Sequence, residues 1–354
     1  MKSGAISIVK CSERDVWRDA LNRCAPFDVC HLPEYHCAYE TREAEGSALL
    51  WVYDCGGDTF CYPFFLSPVN IINGEEVWES GFRDISSVYG YSGPLSSTTD
   101  SDFLSRAWSE FDEWSKSQKV IAEFVRFSCF VDNDHLAHPK CDIASNRPIA
   151  FSNLPDTSKE YFANLRGKTR NMVHRAERSG LIGRIESLSA GLDAFRELYQ
   201  RTMQRNQSTT FFDYGDLYYD HLLNLDEEEV FISCIYNEEK LVSGAIALAH
   251  GEGSLYHLGA NDADFMRNGC GNLCLFKMTS HLIELGVRYL TMGGGRTTTD
   301  DDPLYKFKSR NATDSTVYEI GKRVVDQDAY DLVVARWLEF GNSEPGLGRL
   351  IFYR

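Results

Sequence analysis

The chain has 354 residues, of which 43% are hydrophobic and 13% aromatic, which is enough for two cores of ordinary domain size and excludes a disordered chain. No run of about 18 apolar residues is present and charged residues appear early, so we expect a cytoplasmic protein without a membrane span or signal peptide. The net charge of −16 disfavours nonspecific nucleic-acid binding, so any RNA contact requires a local basic patch.

The cysteine and histidine pattern predicts no metal site. The eleven cysteines contain no C-x-x-C pair, and without a secretion signal this scatter predicts reduced thiols and no structural zinc. His135 and His138 are close in sequence but lack a nearby third ligand, so we interpret them as solvated loop residues.

The first half of the chain is predicted to consist mainly of short, irregular segments rich in aromatic and turn residues. One helix is clear within it, over residues 101–118, because Phe103, Trp108 and Phe111 recur at helical spacing. A strand over residues 120–130 follows this helix.

The second half opens with a basic segment, LRGKTRNMVHRAERSG, which is predicted to be a helix that ends at Gly180. One acid, Glu177, stands against five cations, which are Arg166, Lys168, Arg170, Arg175 and Arg178. A solvated helix face is the alternative for any single residue, but the clustering favours a local patch that contacts RNA.

Helices and strands then alternate. The predicted elements are a helix over 192–206, strands over 230–236, 241–250 and 254–260, a helix over 272–286, strands over 287–293 and 316–321, and a helix over 328–342. This order predicts an α/β fold in which helices flank a mixed, mostly antiparallel sheet.

Residues 256–310 are the most informative segment. A strand leads through the turn MRNGCGN into an apolar helix, and a lysine-bearing segment, DDPLYKFKSR, follows later. Unpaired backbone N–H groups and the helix dipole make such a helix start an anion cradle. We assign Arg267, Gly269, Gly271 and Asn272 to donor binding there. A cradle followed by a cation favours acyl transfer from a phosphate-bearing donor.

Five segments in order resemble the Fem family (FemAB-like), the aminoacyltransferases that build peptidoglycan interpeptide bridges. They are LRGKTRNMVHRAERSG, ELYQRTMQRNQSTTFFDYGDLYY, LYHLGAND, GNLCLFKMTSHLIELGVRYLTMGGG and DPLYKFKSR, and DISSVYGYSGPL extends the resemblance into the first half. The resemblance implies two tandem GNAT-like acyltransferase domains. We assign residues 1–150 to a first domain that shapes the acceptor side and 151–321 to a second with the donor turn and the Phe-Lys motif. Residues 322–354 form a C-terminal helix and tail that either return to the first domain or complete the second.

The resemblance also implies roles for single residues. The family's Phe-Lys motif falls on Phe307 and Lys308, and a lysine there stabilises the oxyanion formed when an amine attacks an ester or thioester. Arg205 matches an arginine that contacts the diphosphate of a nucleotide-linked acceptor, a role that suits the planar guanidinium. Tyr256 matches a tyrosine that faces the cleft, and Arg170 is assigned to the acceptor or to the tRNA end.

Two features depart from the family pattern. Arg126 in VRFSCF stands where an Asp-Pro step is common, and the early lysine that helps to hold the acceptor phosphates has no clear counterpart. A muramyl-peptide acceptor is therefore less favoured than another amine, such as an amino sugar or a small peptide-like metabolite.

The predicted function is transfer of an aminoacyl group from aminoacyl-tRNA to the amine of a small or nucleotide-linked acceptor, with no cofactor. The first alternative is an acyl-CoA-dependent N-acyltransferase. The turn matches the Q/R-x-x-G-x-G/A motif of those enzymes in part, because both glycines are present but Met266 stands at the Gln or Arg position. The second alternative is a non-catalytic binding module, which is favoured if Lys308 and the turn prove exposed and apart.

Overall fold

The computed structural model describes residues 4–42, 46–73, 76–207, 213–297, 301–342 and 350–353. Within these ranges the chain forms two compact units. The first comprises the residues up to 146 together with those from 318 onward, and the second comprises residues 147–317. In the described ranges, no helix has both the length and the apolar character that a membrane span needs.

The first unit begins with a strand, two helices and a series of strands. Its elements in chain order are β1 (Ala5–Lys10), α1 (Arg14–Asn22), α2 (Pro33–Glu40), β2 (Ser47–Cys55), β3 (Asp58–Asn73), β4 (Glu76–Ser86), β5 (Leu95–Ser96), α3 (Ser101–Ser117) and β6 (Val120–Arg126). Strands β1 to β4 pair antiparallel in sequence order, and β6 pairs parallel with β4.

The chain enters the second unit along β7 (Asp142–Asn153). The elements that follow are α4 (Ser158–Asn164), α5 (Gly167–Arg178), β8 (Ile182–Ser187), α6 (Leu188–Arg205), α7 (Asp216–Leu222), β9 (Val230–Asn237), β10 (Lys240–His250), β11 (Gly253–Asn261), α8 (Cys270–Glu284), β12 (Tyr289–Gly293) and α9 (Pro303–Asn311). Strands β8 to β11 pair antiparallel in sequence order, and β12 pairs parallel with β11 and antiparallel with β7.

The chain then returns to the first unit through β13 (Asp314–Val324) and α10 (Gln327–Glu339). The last residues of β13 pair antiparallel with β6. Arg323 on β13 is buried, and it donates from Nε to Glu123 of β6 at 2.8 Å and from Nη1 to Asp112 of α3 at 2.6 Å. These ion pairs hold the C-terminal segment to the first unit.

The two units repeat one order of elements. Each has a strand, two helices, three antiparallel strands, a helix, and a strand that pairs parallel with the third strand of that series. The predicted fold class, an α/β chain with two tandem GNAT-like domains and mixed, mostly antiparallel strands flanked by helices, is confirmed.

Each unit has its own core. The first is dominated by aromatic side chains, because Phe103, Trp108 and Phe111 of α3 pack on the inner faces of β2 and β3. The core of the second unit is mostly aliphatic and is centred on α8, whose residues Leu275, Met278 and Leu282 are buried. The helical spacing seen in the sequence therefore corresponds to the buried faces of these helices.

The structure corrects two sequence predictions and adds one helix that was not predicted. The first half is not mainly irregular: β2 and β3 are long strands joined by a turn at Gly56 and Gly57. The segment PLYKFKSR, with Asp302 as its N-cap, lies in α9, which the sequence analysis did not predict as a helix. His138 is buried against Trp108 and its Nε2 lies 3.2 Å from Asp112, so it is not solvated.

Candidate active site

Strands β11 and β12 part from one another in the second unit. Their parallel pairing ends at Leu255 and Thr291, and no further pair joins them in the described part of the chain. β11 continues to Asn261 and has a bulge next to Tyr256 in its pairing with β10. Tyr256 is therefore the first residue beyond the last pair. We call this opening the β11–β12 seam.

Lys308 lies at this seam. Its side chain is half-buried, and its Nζ donates to the carbonyl oxygen of Gly294 at 3.0 Å and lies 5.5 Å from the ring centroid of Tyr256. Burial, and then the neighbouring Arg147 guanidinium, lower the pKa of Lys308 to about 8 against the opposing effect of Asp302. At neutral pH Lys308 is therefore mostly a cation, although it holds its proton less firmly than an ordinary lysine.

Asp302 fixes the start of α9 and thereby positions Lys308. One carboxylate oxygen accepts hydrogen bonds from two N–H groups in the first turn of α9, and the other accepts from the N–H groups of Arg296 and Thr297, each at 2.9 Å. Burial alone would raise the pKa of Asp302, but these hydrogen bonds lower it to about 2. Gly295 packs so closely on this carboxyl that a Cβ would lie 2.3 Å from its carbon.

The turn MRNGCGN forms the start of α8. A short 3-10 helix over Ala263–Asn268 ends at Gly269, whose φ of +88° lies in the left-handed region, and α8 begins at Cys270. No side chain among the described residues caps this end, so the first N–H groups have no partner in the helix ladder. A Cβ on Gly269 would lie 2.4 Å from the carbonyl oxygen of Met172 on α5. The geometry of an anion cradle is present, and its use for a donor stays a prediction.

Two contacts join this turn to α9. Phe307 packs against Gly271, where an added Cβ would lie 3.2 Å from the ring Cζ. Asn272 donates from Nδ2 to Oδ1 of Asn311 at 2.9 Å, and Asn311 donates from its own Nδ2 to the carbonyl oxygen of Phe307 at 2.8 Å. Since Lys308 follows Phe307 directly, the same contacts set its place relative to the start of α8.

Arg205 ends α6 and is held by Asn261. Its Nη1 donates to the carbonyl oxygen of Asn261 at 2.8 Å. The side-chain oxygen of Asn261 accepts from the hydroxyl of Ser243 at 2.8 Å and lies beside Gly271. Arg205 is exposed, and because a guanidinium has five donors it retains capacity for an anionic ligand.

Arg170 and Arg267 differ in whether hydrogen bonds within the protein hold the side chain. Arg170 donates from Nη1 to the carbonyl oxygens of Ala163 and Leu165, at 2.7 and 2.6 Å, and so caps the end of α4. Arg267 is exposed, and no hydrogen bond or ion pair holds it within the described ranges. Their assignments to the acceptor or tRNA end and to the donor stay predictions.

The sequence analysis missed Arg147 and the central position of Asn261. Arg147 on β7 donates to the carbonyl oxygen of Thr297 at 3.3 Å, and its Nε lies 3.4 Å from a Cβ built on Gly294. A lone arginine in RPIAFSNLP carries no signal, because only the pairing of β7 with β12 brings it near Lys308. Asn261 lies within LYHLGAND, so the motif was noted but not the contacts of its amide.

Comparisons with known proteins identify a domain and a fold. The model of the acetyltransferase (GNAT) domain matches residues 163–309. A crystal structure of FemX is similar to the chain with a TM-score of 0.66 and 14% identity, over 93% of this chain and 99% of that chain. A structure of the C-terminal domain of a protein described as a lysylphosphatidylglycerol synthetase, from Agrobacterium fabrum, is similar with a TM-score of 0.57 and 13% identity, over 93% and 97%.

A conserved protein of unknown function from Bacteroides thetaiotaomicron is similar with a TM-score of 0.57 and 11% identity, over 91% of this chain and 99% of that chain. The comparison with curated proteins gives no match. At these identities the structural likeness shows the fold, and the resemblance to the Fem family is confirmed at that level. The residues that match the GNAT domain model lie within the second unit, and they include the start of α8 and Lys308.

Proposed function

We propose that the protein transfers an aminoacyl group from aminoacyl-tRNA to the amine of a small or nucleotide-linked acceptor and forms an amide bond. The position of Lys308 carries this proposal. It is a half-buried cation at the β11–β12 seam, and Phe307 joins its helix to the start of α8. A binding module is less favoured, because that alternative required Lys308 and the turn to be exposed and apart.

The reaction joins a neutral amine to an ester carbonyl. The amine nitrogen attacks the carbonyl carbon and forms the C–N bond, and negative charge collects on the carbonyl oxygen. The ester C–O bond then breaks, and the ribose oxygen leaves with the proton that the amine gives up. The Lys308 ammonium stabilises the charged intermediate, and holding both substrates in one orientation contributes further acceleration.

The exposed face of α5 supports a tRNA donor. Four exposed cations lie on this helix or directly before it, namely Arg166, Lys168, Arg175 and Arg178. The helix lies against both parts of the site, since the carbonyl of Met172 abuts Gly269 and the hydroxyl of Thr169 donates to the carbonyl oxygen of Arg310 at 2.7 Å. A basic surface beside the site suits the phosphates of an RNA 3′ end.

The start of α8 favours a second candidate, an acyl-CoA-dependent N-acyltransferase. An uncapped helix N-terminus that opens with Gly269 and Gly271 suits a pyrophosphate group, because backbone N–H groups can approach it closely. Lys308 would then stabilise the oxyanion formed from a thioester. Both candidates use the same lysine, so the donor distinguishes them.

The acceptor side is proposed to include Arg205 and Tyr256. Arg205 is an exposed guanidinium beside β11, which suits the phosphates of a nucleotide-linked amino sugar. Tyr256 lines the seam next to Lys308, and burial raises the pKa of its hydroxyl above the ordinary value, so it stays neutral and is available as a hydrogen-bond donor.

A donor assay tests the proposal. Purified protein is incubated with amino-sugar acceptors and either total tRNA charged with radiolabelled amino acids or radiolabelled acetyl-CoA. Transfer from charged tRNA that ribonuclease abolishes supports the proposed function. Transfer from acetyl-CoA alone replaces it with the second candidate, and no transfer in either arm points to a binding module or another acyl donor.

A matched pair of variants tests the basic face. Lys168→Glu reverses one exposed charge on α5, and we expect it to raise the KM for charged tRNA at low salt without changing the KM for a small acceptor. Lys140→Glu makes the same change at an exposed position of the first unit. An equal effect of both variants would show that net charge matters and that α5 does not bind the donor.

A further inference from the structure

Two thiols and a carboxylate meet in the first unit. Cys11 lies directly after β1, whereas Cys37 and Glu40 lie on α2, three positions apart and so on one face of the helix. The two Sγ atoms and a carboxylate oxygen of Glu40 all lie within 4.8 Å of one another. Cys11 and Cys37 are buried, with 1% and 3% of their surfaces exposed.

Although the cysteine spacing in the sequence predicts no metal site, we propose that Cys11, Cys37 and Glu40 bind a divalent cation of the zinc type, with water as the fourth ligand. Tetrahedral zinc, with bonds of about 2.3 Å to sulfur and about 2.1 Å to oxygen, places neighbouring ligand atoms about 3.5 Å apart. The Sγ of Cys11 and the Oε2 of Glu40 are already 3.3 Å apart. Two thiolates select zinc over magnesium or calcium, which prefer oxygen ligands.

The backbone of β2 orients two of these ligands. The N–H of Ala48 donates to Oε1 of Glu40 at 2.8 Å, which leaves Oε2 directed to Cys11. The N–H of Cys11 donates to the carbonyl oxygen of Ala48 at 3.2 Å. Such hydrogen bonds hold ligands in place before a metal arrives. Glu40 is only half-buried, which gives an ion a route from solvent.

Metal binding here must release protons. Each thiol that ligates the ion as a thiolate gives its proton to solvent. The ion would join the end of β1 to the last turn of α2, so binding should stabilise the folded first unit.

Cobalt(II) spectroscopy tests the site, because a thiolate ligand gives a charge-transfer band in the near ultraviolet. With the full chain kept reduced by a phosphine, we expect one equivalent of cobalt to produce the band, and zinc to remove it and raise the melting temperature. Cys37→Ser leaves one thiolate ligand, so the band should be weaker and should need a higher cobalt concentration to appear. Cys61 is a buried thiol that contacts Cys24 and is not a proposed ligand, so Cys61→Ser is the control and should leave the band unchanged.

A second variant covers the case in which Cys37→Ser fails to fold. Glu40→Gln keeps the side-chain shape and the acceptor for the Ala48 N–H. We expect it to weaken zinc binding by at least about tenfold, because even the loss of a residue that only supports a metal ligand has an effect of that size. No cobalt band in the wild-type chain, or an equal band in Cys37→Ser, would overturn the site. These readouts need no transferase activity.

Discussion

At the scale of single residues, Lys308 differs from the lysine two positions before it on α9. Lys308 is held at the seam by the carbonyl of Gly294, whereas Lys306 forms an ion pair with Asp301 at 2.6 Å, in which Asp301 is almost fully exposed. We expect Lys308→Ala to lower kcat by more than about 100-fold, the scale of losing one oxyanion donor. Lys306→Ala is the matched control and should leave kcat unchanged.

The measurement for this pair is steady-state transfer with whichever donor is active in the donor assay, together with circular dichroism to confirm folding. If Lys308→Ala is folded and retains wild-type turnover, Lys308 has no part in the reaction. If both variants lose activity equally, the effect belongs to the charge of α9 as a whole.

The pKa of Lys308 predicts a pH dependence. Because the cation is the active form and its pKa is lowered to about 8, kcat should fall as the pH rises through about 8. The test needs an acceptor whose amine is neutral throughout the range, so that its own titration does not add to the profile. A kcat that rises through pH 8 would show instead that neutral Lys308 acts as a base.

Arg147 should shift that profile. After burial, its guanidinium is the next cause of the lowered pKa of Lys308, so Arg147→Gln should move the fall in kcat to higher pH. The comparison is made on the full pH profile, because a merely structural role would lower kcat at every pH without moving the curve.

At the scale of residues, the sequence singled out Lys308 as a candidate but did not predict which residues surround it. The Phe-Lys motif drew attention to Lys308, and the LYHLGAND motif to Tyr256. Arg147 could not be predicted, because it is about 160 positions from Lys308 and reaches it only through strand pairing.

At the scale of elements, the entry to α8 depends on Gly269. A left-handed φ costs a residue with a side chain about 1 kcal/mol, and at Gly269 a Cβ would also press on the backbone of Met172. We expect Gly269→Ala to lower the free energy of unfolding by about 2–4 kcal/mol and to raise the KM for the donor. The measurements are urea unfolding and donor titration.

Gly286 provides the control, because it has a similar φ of +81° at the other end of α8 and open space around its Cβ position. Gly286→Ala should show only the backbone cost, about 1 kcal/mol, with an unchanged KM. Equal losses in the two variants would mean that the contact with Met172 is easily relieved.

Elements with strong periodicity were predicted well, and fully buried or short ones were not. The apolar residues at helical spacing in α3 and α6 predicted the bounds of these two helices to within a few residues. β3 was missed because residues on both of its faces are buried from Phe60 to Leu66, which removes the alternation that marks a strand. α9 is short, although an Asp-Pro start at Asp302 is a known helix signal.

At the scale of the whole molecule, the repeated order of elements could be inferred only in part. The second half showed alternating helices and strands, which gave the α/β class. The repeat in the first half depends on the long β2–β3 pair, and the return of β13 to β6 is a pairing between residues about 200 positions apart. Local patterns carry no information on such partners, so the sequence left the place of residues 322–354 open.

The return of the C-terminal segment gives the last prediction. Arg323 is 5% exposed and neutralises Glu123, which is 2% exposed and also accepts a hydrogen bond from the hydroxyl of Tyr62 at 2.7 Å. Arg323→Leu would leave this carboxylate buried without its cation, and we expect a loss of about 3–5 kcal/mol in the free energy of unfolding by urea. Lys116→Met, which removes an exposed ion pair with Glu113, should cause no measurable loss. An equally small effect of Arg323→Leu would mean that the buried network positions β13 without stabilising it.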